Sequence, residues 1–307
     1  MAHPVARALA CLVAVAVAPG AAAAPRPAAL ELLVLGSGGP RAFGRAGTSY
    51  LVLVDGTPRI LVDAGPGAFV EIGKLGVDLE HVDTILLTHL HIDHSADLPA
   101  VFLARALTAG ERVRFSVFGP SGSPEFPATT RLVALLFEAG GAWPYQKTFG
   151  ADEDIHAEDV SADLTAPERR IVAAADGVEV RAVATHHGNC PSIGYRVSYK
   201  GASITFAGDM DASALPNVVR LARDTDLLVF HLGVVDPPGS PEFLYTLHTA
   251  PRKLGEAARD AGARRVLLSH IAPAIERARA EVVRSIGMSY RGGLDLARDG
   301  MRLRAHH

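Results

Sequence analysis

The stretch THLHIDHS, residues 88–95, places four metal-binding side chains within six residues: His89, His91, Asp93 and His94. In an extended segment, side chains two positions apart point to the same side, so we expect His89 and His91 to hold one metal ion together. Asp93 and His94 follow where the chain turns into a helix, and we expect them to reach a second ion nearby. Imidazole and carboxylate are ordinary zinc ligands, and the same set also serves iron or manganese.

A pair of metal ions needs further ligands, and three later strands each end in a suitable side chain. VRAVATHH ends in His186 and His187, SITFAGD ends in Asp209, and RRVLLSH ends in His270. Ligands at the ends of separate strands share one rim of a sheet, where a rigid scaffold holds a site well. The sequence therefore predicts one centre assembled from distant segments.

The composition of the whole chain is that of a globular protein. Its 307 residues suggest one large domain or two small ones, and 49% are hydrophobic and 21% charged. The formal charge is −3 and there is no long basic run, which argues against a nucleic-acid-binding protein.

The N-terminus has the three parts of a secretory signal. Arg7 precedes the apolar run ALACLVAVAVA, and the small residues of PGAAAAP follow. The run is too short to span a bilayer, which takes about 20 residues, so we expect no stable membrane anchor. We expect a signal peptide over residues 1–23, a mature protein that is periplasmic or secreted, and a single domain over residues 29–305. Removal of Cys11 with the signal would leave Cys190 without a disulfide partner.

Short β-rich runs alternate with helical ones from about residue 29 onward. This pattern predicts an α/β layered domain, with two sheets packed face to face and helices outside. Residues 143–176 are the least regular part, and their acidic residues suggest a solvated surface insertion. We expect the chain to end in a helix.

Five motifs together resemble the metallo-β-lactamase-fold hydrolases: LGSGGP, LVDAG, THLHIDH, AGD and LLSHIAP. The resemblance spans about residues 30–275 and implies a four-layer αββα sandwich with a two-metal site between the sheets. Carried over by position, it implies a first ion on His89, His91 and His187, a second on Asp93, His94 and His270, and Asp209 as the bridge. His187 is preferred because HGNCPSIGYRV is similar to the family's His-Gly-x-x-Pro stretch, and His186 stays open as the alternative.

The resemblance also implies the chemistry. Two zinc ions would lower the pKa of a shared water and stabilise negative charge on an ester oxygen, without any organic cofactor. The expected reaction is hydrolysis through a metal-bridging hydroxide. Asp93 is also a candidate catalytic residue, which could orient this nucleophile or accept its proton.

The branch that the motifs resemble most includes ribonuclease Z, a tRNA 3′-end-processing endonuclease, with arylsulfatase and phosphodiesterase relatives. His248, in LHTA, matches a histidine that acts near the leaving group as a proton donor in that branch. Two departures argue against a tRNA nuclease. GYRVSYKGASITFAGD leaves no room for the branch's tRNA-gripping arm, and Leu232 stands where a Glu would pair with the proton donor.

We therefore expect an exported dinuclear zinc hydrolase that acts on a small phosphodiester or sulfate ester, with no nucleic-acid partner. The segment 234–247 is a candidate lid, with Phe243 and Tyr245 as candidates for the pocket wall. The alternatives are a lactonase or β-lactamase-like hydrolase, although Asp209 counts against a β-lactamase, and an iron-dependent oxidoreductase of the same fold. A binding protein without activity is disfavoured because all seven ligand positions are filled.

Overall fold

The computed structural model describes residues 30–41, 43–108, 113–148, 153–174, 176–237 and 239–305. The signal peptide expected over residues 1–23 lies outside the described residues, as does the expected first residue of the domain, so both stay predictions. Among the described helices, none is long and apolar enough to cross a membrane.

Two mixed sheets form the centre of the described structure. The strands of the first are β1 (Leu30–Gly36), β2 (Ser49–Val54), β3 (Thr57–Ala64), β4 (Thr84–Leu86), β5 (Val113–Pro120), β6 (Glu153–Val160) and β14 (Arg302–Ala305). The strands of the second are β7 (Arg169–Ala173), β8 (Glu179–His187), β9 (Cys190–Tyr199), β10 (Ala202–Phe206), β11 (Leu227–His231), β12 (Arg265–Ser269) and β13 (Gly293–Leu296). Their spatial orders are β14-β1-β2-β3-β4-β5-β6 and β13-β12-β11-β10-β9-β8-β7.

Part of each sheet is parallel, and this fixes where the site lies. Strands β3 to β6 run parallel to one another in the first sheet, and β10 to β13 do so in the second. Neighbouring parallel strands end at the same edge of a sheet, where ligands bind in open α/β sheets. The segments that follow β4, β10 and β12 carry His89, Asp209 and His270.

Helices cover the outer faces of both sheets. They are α1 (Ala68–Lys74), α2 (Ile92–Ser95), α3 (Leu98–Thr108), α4 (Thr129–Phe137), α5 (Leu215–Leu221), α6 (Pro251–Asp260), α7 (Pro273–Arg277) and α8 (Arg279–Ile286). Short 3-10 helices lie at Pro144–Thr148, Ala212–Ala214 and Glu242–Thr246.

Three buried apolar layers hold these elements together. Between the sheets, Tyr50 of β2 packs against Phe206 of β10 with ring centroids 5.6 Å apart. On the outer face of the first sheet, Phe102 of α3 stacks on Phe115 of β5 with centroids 4.0 Å apart. A third cluster joins the second sheet to α5, α6 and α8. The order helix, sheet, sheet, helix confirms the predicted αββα sandwich.

Two expectations about the elements are wrong. Residues 143–176 contain strands β6 and β7 at the edges of the two sheets, and β6 pairs with β5 over its whole length. The described chain also continues past its last helix into β13 and β14. These edge strands are rich in charged residues and half-exposed, so they lack the apolar run that marks a buried strand.

Candidate metal centre

Asp63, the penultimate residue of β3, holds the histidine-rich turn in place through hydrogen bonds. The backbone N–H of Thr88 donates to Oδ1 of Asp63 at 2.7 Å, and the Thr88 hydroxyl donates to Oδ2 at 2.8 Å. His91 has extended backbone angles directly before α2, so the chain changes direction between its ligand pairs. Asp63 is fully buried and has a φ of 57°, a strained value for a non-glycine residue that these hydrogen bonds help to offset.

Asp63 also sets the direction of the His94 ring. Nδ1 of His94 donates to Oδ2 of Asp63 at 2.8 Å, so Nε2 points the opposite way, towards the other ligands. Nε2 lies 3.6 Å from Oδ2 of Asp93 and 3.8 Å from Oδ2 of Asp209, with no hydrogen bond to a described residue. Burial lowers the pKa of His94, but the charges of Asp63 and Asp209 outweigh burial and raise it to about 9. A cation at Nε2 would complete this site.

The second sheet brings three more side chains to the same place. His187 is the last residue of β8, and its Nδ1 donates to the carbonyl oxygen of Leu247 at 2.8 Å. This leaves Nε2 of His187 3.6 Å from Oδ2 of Asp209. Nε2 of His270, directly after β12, is 3.2 Å from Oδ2 of Asp93 and 3.2 Å from Oδ2 of Asp209.

Asp209 is the centre of the arrangement. Its Oδ2 lies within 4.0 Å of an imidazole nitrogen of each of five histidines: His89, His94, His187, His248 and His270. Oδ1 instead accepts a hydrogen bond from Nδ1 of His231 at 2.7 Å. Burial raises the pKa of Asp209, but the surrounding histidines, His270 and His248 foremost, hold it well below its usual range.

The donor atoms fall into groups that suit metal ions. One is His89, His91 and His187, and another is Asp93, His94 and His270, each with its donor atoms within 4.8 Å of one another. Asp209 belongs to two further groups, with His89 and His94 and with His187 and His248. The structure thus brings together all seven residues expected as ligands, and that role itself stays a prediction.

The protonation of the first group suits metal binding as well. Burial is the main cause that lowers the pKa of His91 and His187, and it lowers that of His89 well below the usual value. These imidazoles are therefore neutral near pH 7, with a nitrogen lone pair to offer. Together with the partnerless Nε2 of His94, this donor set fits divalent cations.

The two adjacent histidines at the end of β8 lie in different surroundings. The His187 ring is buried among the ligands, whereas the His186 side chain is 43% exposed and bonded through Nδ1 to Oδ2 of Asp211 at 2.7 Å. His186 is absent from every potential metal-binding group among the described residues. The geometry therefore favours His187 as the ligand.

His248 lies beside the ligands, without the partner that the resemblance implies. Its ring is buried, and Nδ1 has no hydrogen bond to any described residue. Burial is the main cause that lowers the pKa of His248 to about 3. Leu232 is fully buried in the apolar layer under the helices, so it supplies no carboxylate. The ring instead packs against Gly233, where an added Cβ would lie 2.4 Å from Cδ2 of His248.

Phe243 and Tyr245, the two aromatic residues of the expected lid, differ in exposure and in hydrogen bonding. Phe243, in the 3-10 helix Glu242–Thr246, is 63% exposed and free to contact a ligand. The Tyr245 hydroxyl donates to the carbonyl oxygen of Val235 at 2.9 Å and accepts from the backbone N–H of Ser240 at 3.2 Å. Tyr245 therefore braces the loop that it belongs to.

Three supporting residues were not recognised in the sequence as part of the site: Asp63, His231 and Tyr50. The Tyr50 hydroxyl lies 3.0 Å from Nε2 of His231, so both ring nitrogens of His231 are engaged and neither faces the ligands. For Asp63 a signal existed, since LVDAG is one of the five motifs. His231 and Tyr50 gave no signal, because their roles depend on contacts between the two sheets.

Comparisons with known proteins agree with this geometry. A family model described as the beta-lactamase superfamily domain matches residues 58–271. A ribonuclease Z of Mycobacterium avium (strain 104) is 31% identical over 280 residues, which cover 88% of this chain and 96% of the relative. A ribonuclease Z of Mycobacterium marinum is 29% identical over 287 residues, 90% of this chain and 99% of the relative.

Solved structures show the same fold. The short form of human tRNase Z superposes with a TM-score of 0.68 at 20% identity, covering 90% of this chain and all of that one. The metallo-beta-lactamase fold protein YhfI of Bacillus subtilis gives 0.64 at 17% identity, with the same coverage. The expected family, fold and metal-dependent hydrolase class are confirmed.

The expected small-ester substrate and the expected absence of a nucleic-acid partner are wrong. They were inferred from the missing arm, from Leu232 in place of a Glu and from the absence of a basic run. Strands β9 and β10 are indeed joined by only two residues, Lys200 and Gly201. Yet the aligned stretch with the M. avium ribonuclease Z has 280 residues and takes in 88% of this chain's 307, so that relative holds no long insertion that this chain lacks. A short hairpin at this position therefore does not exclude an RNA substrate.

Proposed function

Because the chain belongs to the beta-lactamase superfamily, we propose that it is a metal-dependent ribonuclease that hydrolyses phosphodiester bonds of RNA. One observation carries the proposal: a single carboxylate oxygen, Oδ2 of Asp209, lies within 4.0 Å of two histidines from each group of potential metal ligands, which are His89, His187, His94 and His270. Such an arrangement suits in-line displacement at phosphorus with two metal ions. The choice of RNA is supported by the relatives named ribonuclease Z, which align with this chain over nearly their whole length.

The proposed ligands are the seven residues gathered at the sheet edge. His89, His91 and His187 would hold one ion, Asp93, His94 and His270 the other, and Asp209 would contact both. Zinc is the proposed metal, because imidazole and carboxylate are its usual ligands and burial lowers the pKa of His89 and His187, which favours their neutral, metal-binding form. When bound, such ions supply Lewis acidity and a nucleophile at neutral pH.

Three side chains of the protein, Asp93, His248 and Phe243, are the candidates to contact the nucleophile or the RNA. Asp93, whose Oδ2 lies 3.2 Å from Nε2 of His270, is the candidate to orient the nucleophile or take its proton. His248, buried beside Asp209, is the candidate hydrogen-bond donor to the leaving oxygen. Exposed Phe243 is the candidate to stack on a base, since base–aromatic stacking is a common RNA contact.

The test is cleavage of end-labelled RNA by the zinc-loaded protein. Two substrates are compared, a tRNA transcript with a 3′ extension and an unstructured RNA of equal length. We expect cleavage of at least one, with a loss of about 10³-fold or more in Asp209→Asn, because this change removes the shared carboxylate charge.

Asp211→Asn is the matched control. Asp211 is two residues away and bonds His186 outside the ligand groups, so this variant should cleave at nearly the wild-type rate. Absence of RNA cleavage by folded, zinc-loaded wild type contradicts the proposal, as does equal loss in both variants.

A further inference from the structure

We propose that a groove beside the metal centre binds the phosphate backbone of the RNA, an inference that rests on the proposed function. The groove has a volume of about 810 Å³ and lies between α8 and the β13–β14 segment. Its main lining residues, which define what we term the arginine groove, are Arg277, Arg279, Val283, Leu294, Arg298 and Met301.

The charge of the arginine groove is the first argument. Arg277, Arg279 and Arg298 are exposed, and their guanidinium groups make no ion pair or hydrogen bond with any residue of the described ranges. The one acid in the wall, Asp295, is occupied by Arg265 at 2.6 Å. Three uncompensated cations on a chain with a net charge of −3 form a local site for anions, and the guanidinium fork matches phosphate.

The position of the groove is the second argument. Strands β12 and β13 run in parallel with Leu268 opposite Leu296, and two residues further on come His270 and Arg298. Neighbouring strands are about 4.8 Å apart, so Leu268, two residues before a proposed metal ligand, lies one strand spacing from Leu296, two residues before Arg298. Arg277 belongs to α7, which begins three residues after His270.

Contacts of Arg45 connect the segments that line the groove to a segment that packs against His270. Nη1 of Arg45 donates to the carbonyl oxygen of Ala297 at 2.9 Å, and its Nη2 pairs with Glu276 at 2.9 Å. Arg45 thereby contacts Ala297 and Glu276, the residues directly before Arg298 and Arg277. Arg45 belongs to the segment between β1 and β2, in which Gly39 lies directly against the His270 ring. RNA lying along the groove would run from the metal centre across the same edge of the molecule.

The floor of the groove determines which anion fits. Val283, Leu294 and Met301 line it with apolar surface beneath the cations, and Val283 is 38% exposed. A positively charged groove that follows the phosphate backbone is one part of the contact pattern of single-stranded nucleic acid, and the aliphatic floor beneath it would contact the sugars. We therefore assign the groove to the RNA strand next to the cleaved bond.

The test is RNA binding in a cleavage-dead background. Full-length Asp209→Asn protein is titrated into fluorescein-labelled single-stranded RNA, and anisotropy is followed from low to high salt. The groove variant adds Arg277→Ala, Arg279→Ala and Arg298→Ala. The control adds Arg131→Ala, Arg223→Ala and Arg284→Ala, three exposed arginines outside the arginine groove that give the same charge change.

We expect the groove variant to bind RNA at least tenfold more weakly and the control to bind like the parent. The slope of log K against log salt should fall by about 2, since each phosphate contact on a single strand contributes about 0.7. In the active background the groove variant should raise KM for RNA without changing kcat. Hydrolysis of bis(p-nitrophenyl) phosphate, which is too small to reach the groove, should be unaffected.

Equal weakening by both triple variants, or no weakening by either, overturns the assignment. If the wild type cleaves RNA while the groove variant binds it normally, the groove is wrong and the proposed function stands. If binding depends on the groove but the wild type cleaves no RNA, the groove is supported and the proposed function fails.

Discussion

At the scale of single residues, the end of β8 presents two histidines with different surroundings. His187 lies buried among the other ligands, while exposed His186 pairs with Asp211. Nε2 of His187 lies 3.6 Å from Oδ2 of Asp209, and this position favours His187 as the proposed ligand.

We expect His187→Ala to lower the zinc content from about two ions per chain to about one, because one ligand group loses a donor. His186→Ala should retain the wild-type content. Elemental analysis of the purified, dialysed variants measures both, and a loss of zinc in His186→Ala with none in His187→Ala would reverse the assignment.

Asp63 would act on a bound metal ion through His94, from whose Nδ1 it accepts a hydrogen bond. Asp63→Asn weakens the anchor of His94 and Thr88, so zinc affinity should fall by about 10–100-fold, the usual cost of losing an orienting carboxylate. Competition with a chromogenic chelator measures it. The control is Asp176→Asn, whose carboxylate pairs with Arg59 at an exposed position; an equal effect there would refute the orienting role.

Gly233 tests the position of His248 without changing its chemistry. The Cβ of Gly233→Ala would lie 2.4 Å from Cδ2 of His248, so the ring must move. RNA cleavage should fall by about 10²-fold, because the hydrogen bond to the leaving oxygen would be lost, with zinc content unchanged. Gly73→Ala, which meets nothing within 4 Å, is the control, and full activity in Gly233→Ala would exclude a role for His248.

The sequence predicted the residues that gather at the centre but few of those that orient them. Close spacing identified His89 to His94, and strand ends identified His187, Asp209 and His270. The contacts of Asp63, His231 and Tyr50 join residues 22 to 181 positions apart, so only the folded chain brings them together. A short segment rich in ligands can be recognised by itself, whereas an orienting partner cannot.

At the scale of elements, an aromatic stack on the outer face of the first sheet packs α3, the helix that follows the histidine-rich turn. Phe102 of α3 lies 4.0 Å from Phe115 and 5.2 Å from Phe137, measured between ring centroids, and all three are buried. Because α3 begins three residues after α2 ends, this packing also holds the turn in place.

Phe102→Ala should lower the free energy of unfolding by about 3–5 kcal/mol, through lost burial and the cavity left behind. Phe69→Ala removes a ring that is 46% exposed and should change stability by about 1 kcal/mol or less. Urea unfolding of both variants measures the difference. Equal losses would mean that the stack does not carry the packing of α3.

Elements with an apolar run were predicted, and those at the sheet edges were not. The core strands β2 and β10 are buried throughout, so burial itself selects their residues. In β7 and β14, exposed arginines occupy several positions, and short strands with charged side chains are hard to distinguish from loops.

At the scale of the whole molecule, overall charge was a misleading guide to the substrate. A net charge of −3 argued against nucleic acid, yet one groove near the proposed metal centre gathers three arginines that form no ion pair with any described residue. Phosphate binding depends on the local field, and the sum over the chain does not report it. The predicted export concerns residues outside the described ranges and stays a prediction.

The most direct test of a two-metal ribonuclease is a zinc titration of the metal-stripped protein, with the initial rate of labelled-RNA cleavage as the readout. The account predicts no cleavage without zinc, a rise on addition and a plateau at about two equivalents per chain. A plateau at one equivalent would contradict the two-metal centre, and no RNA cleavage at any zinc level would contradict the ribonuclease itself.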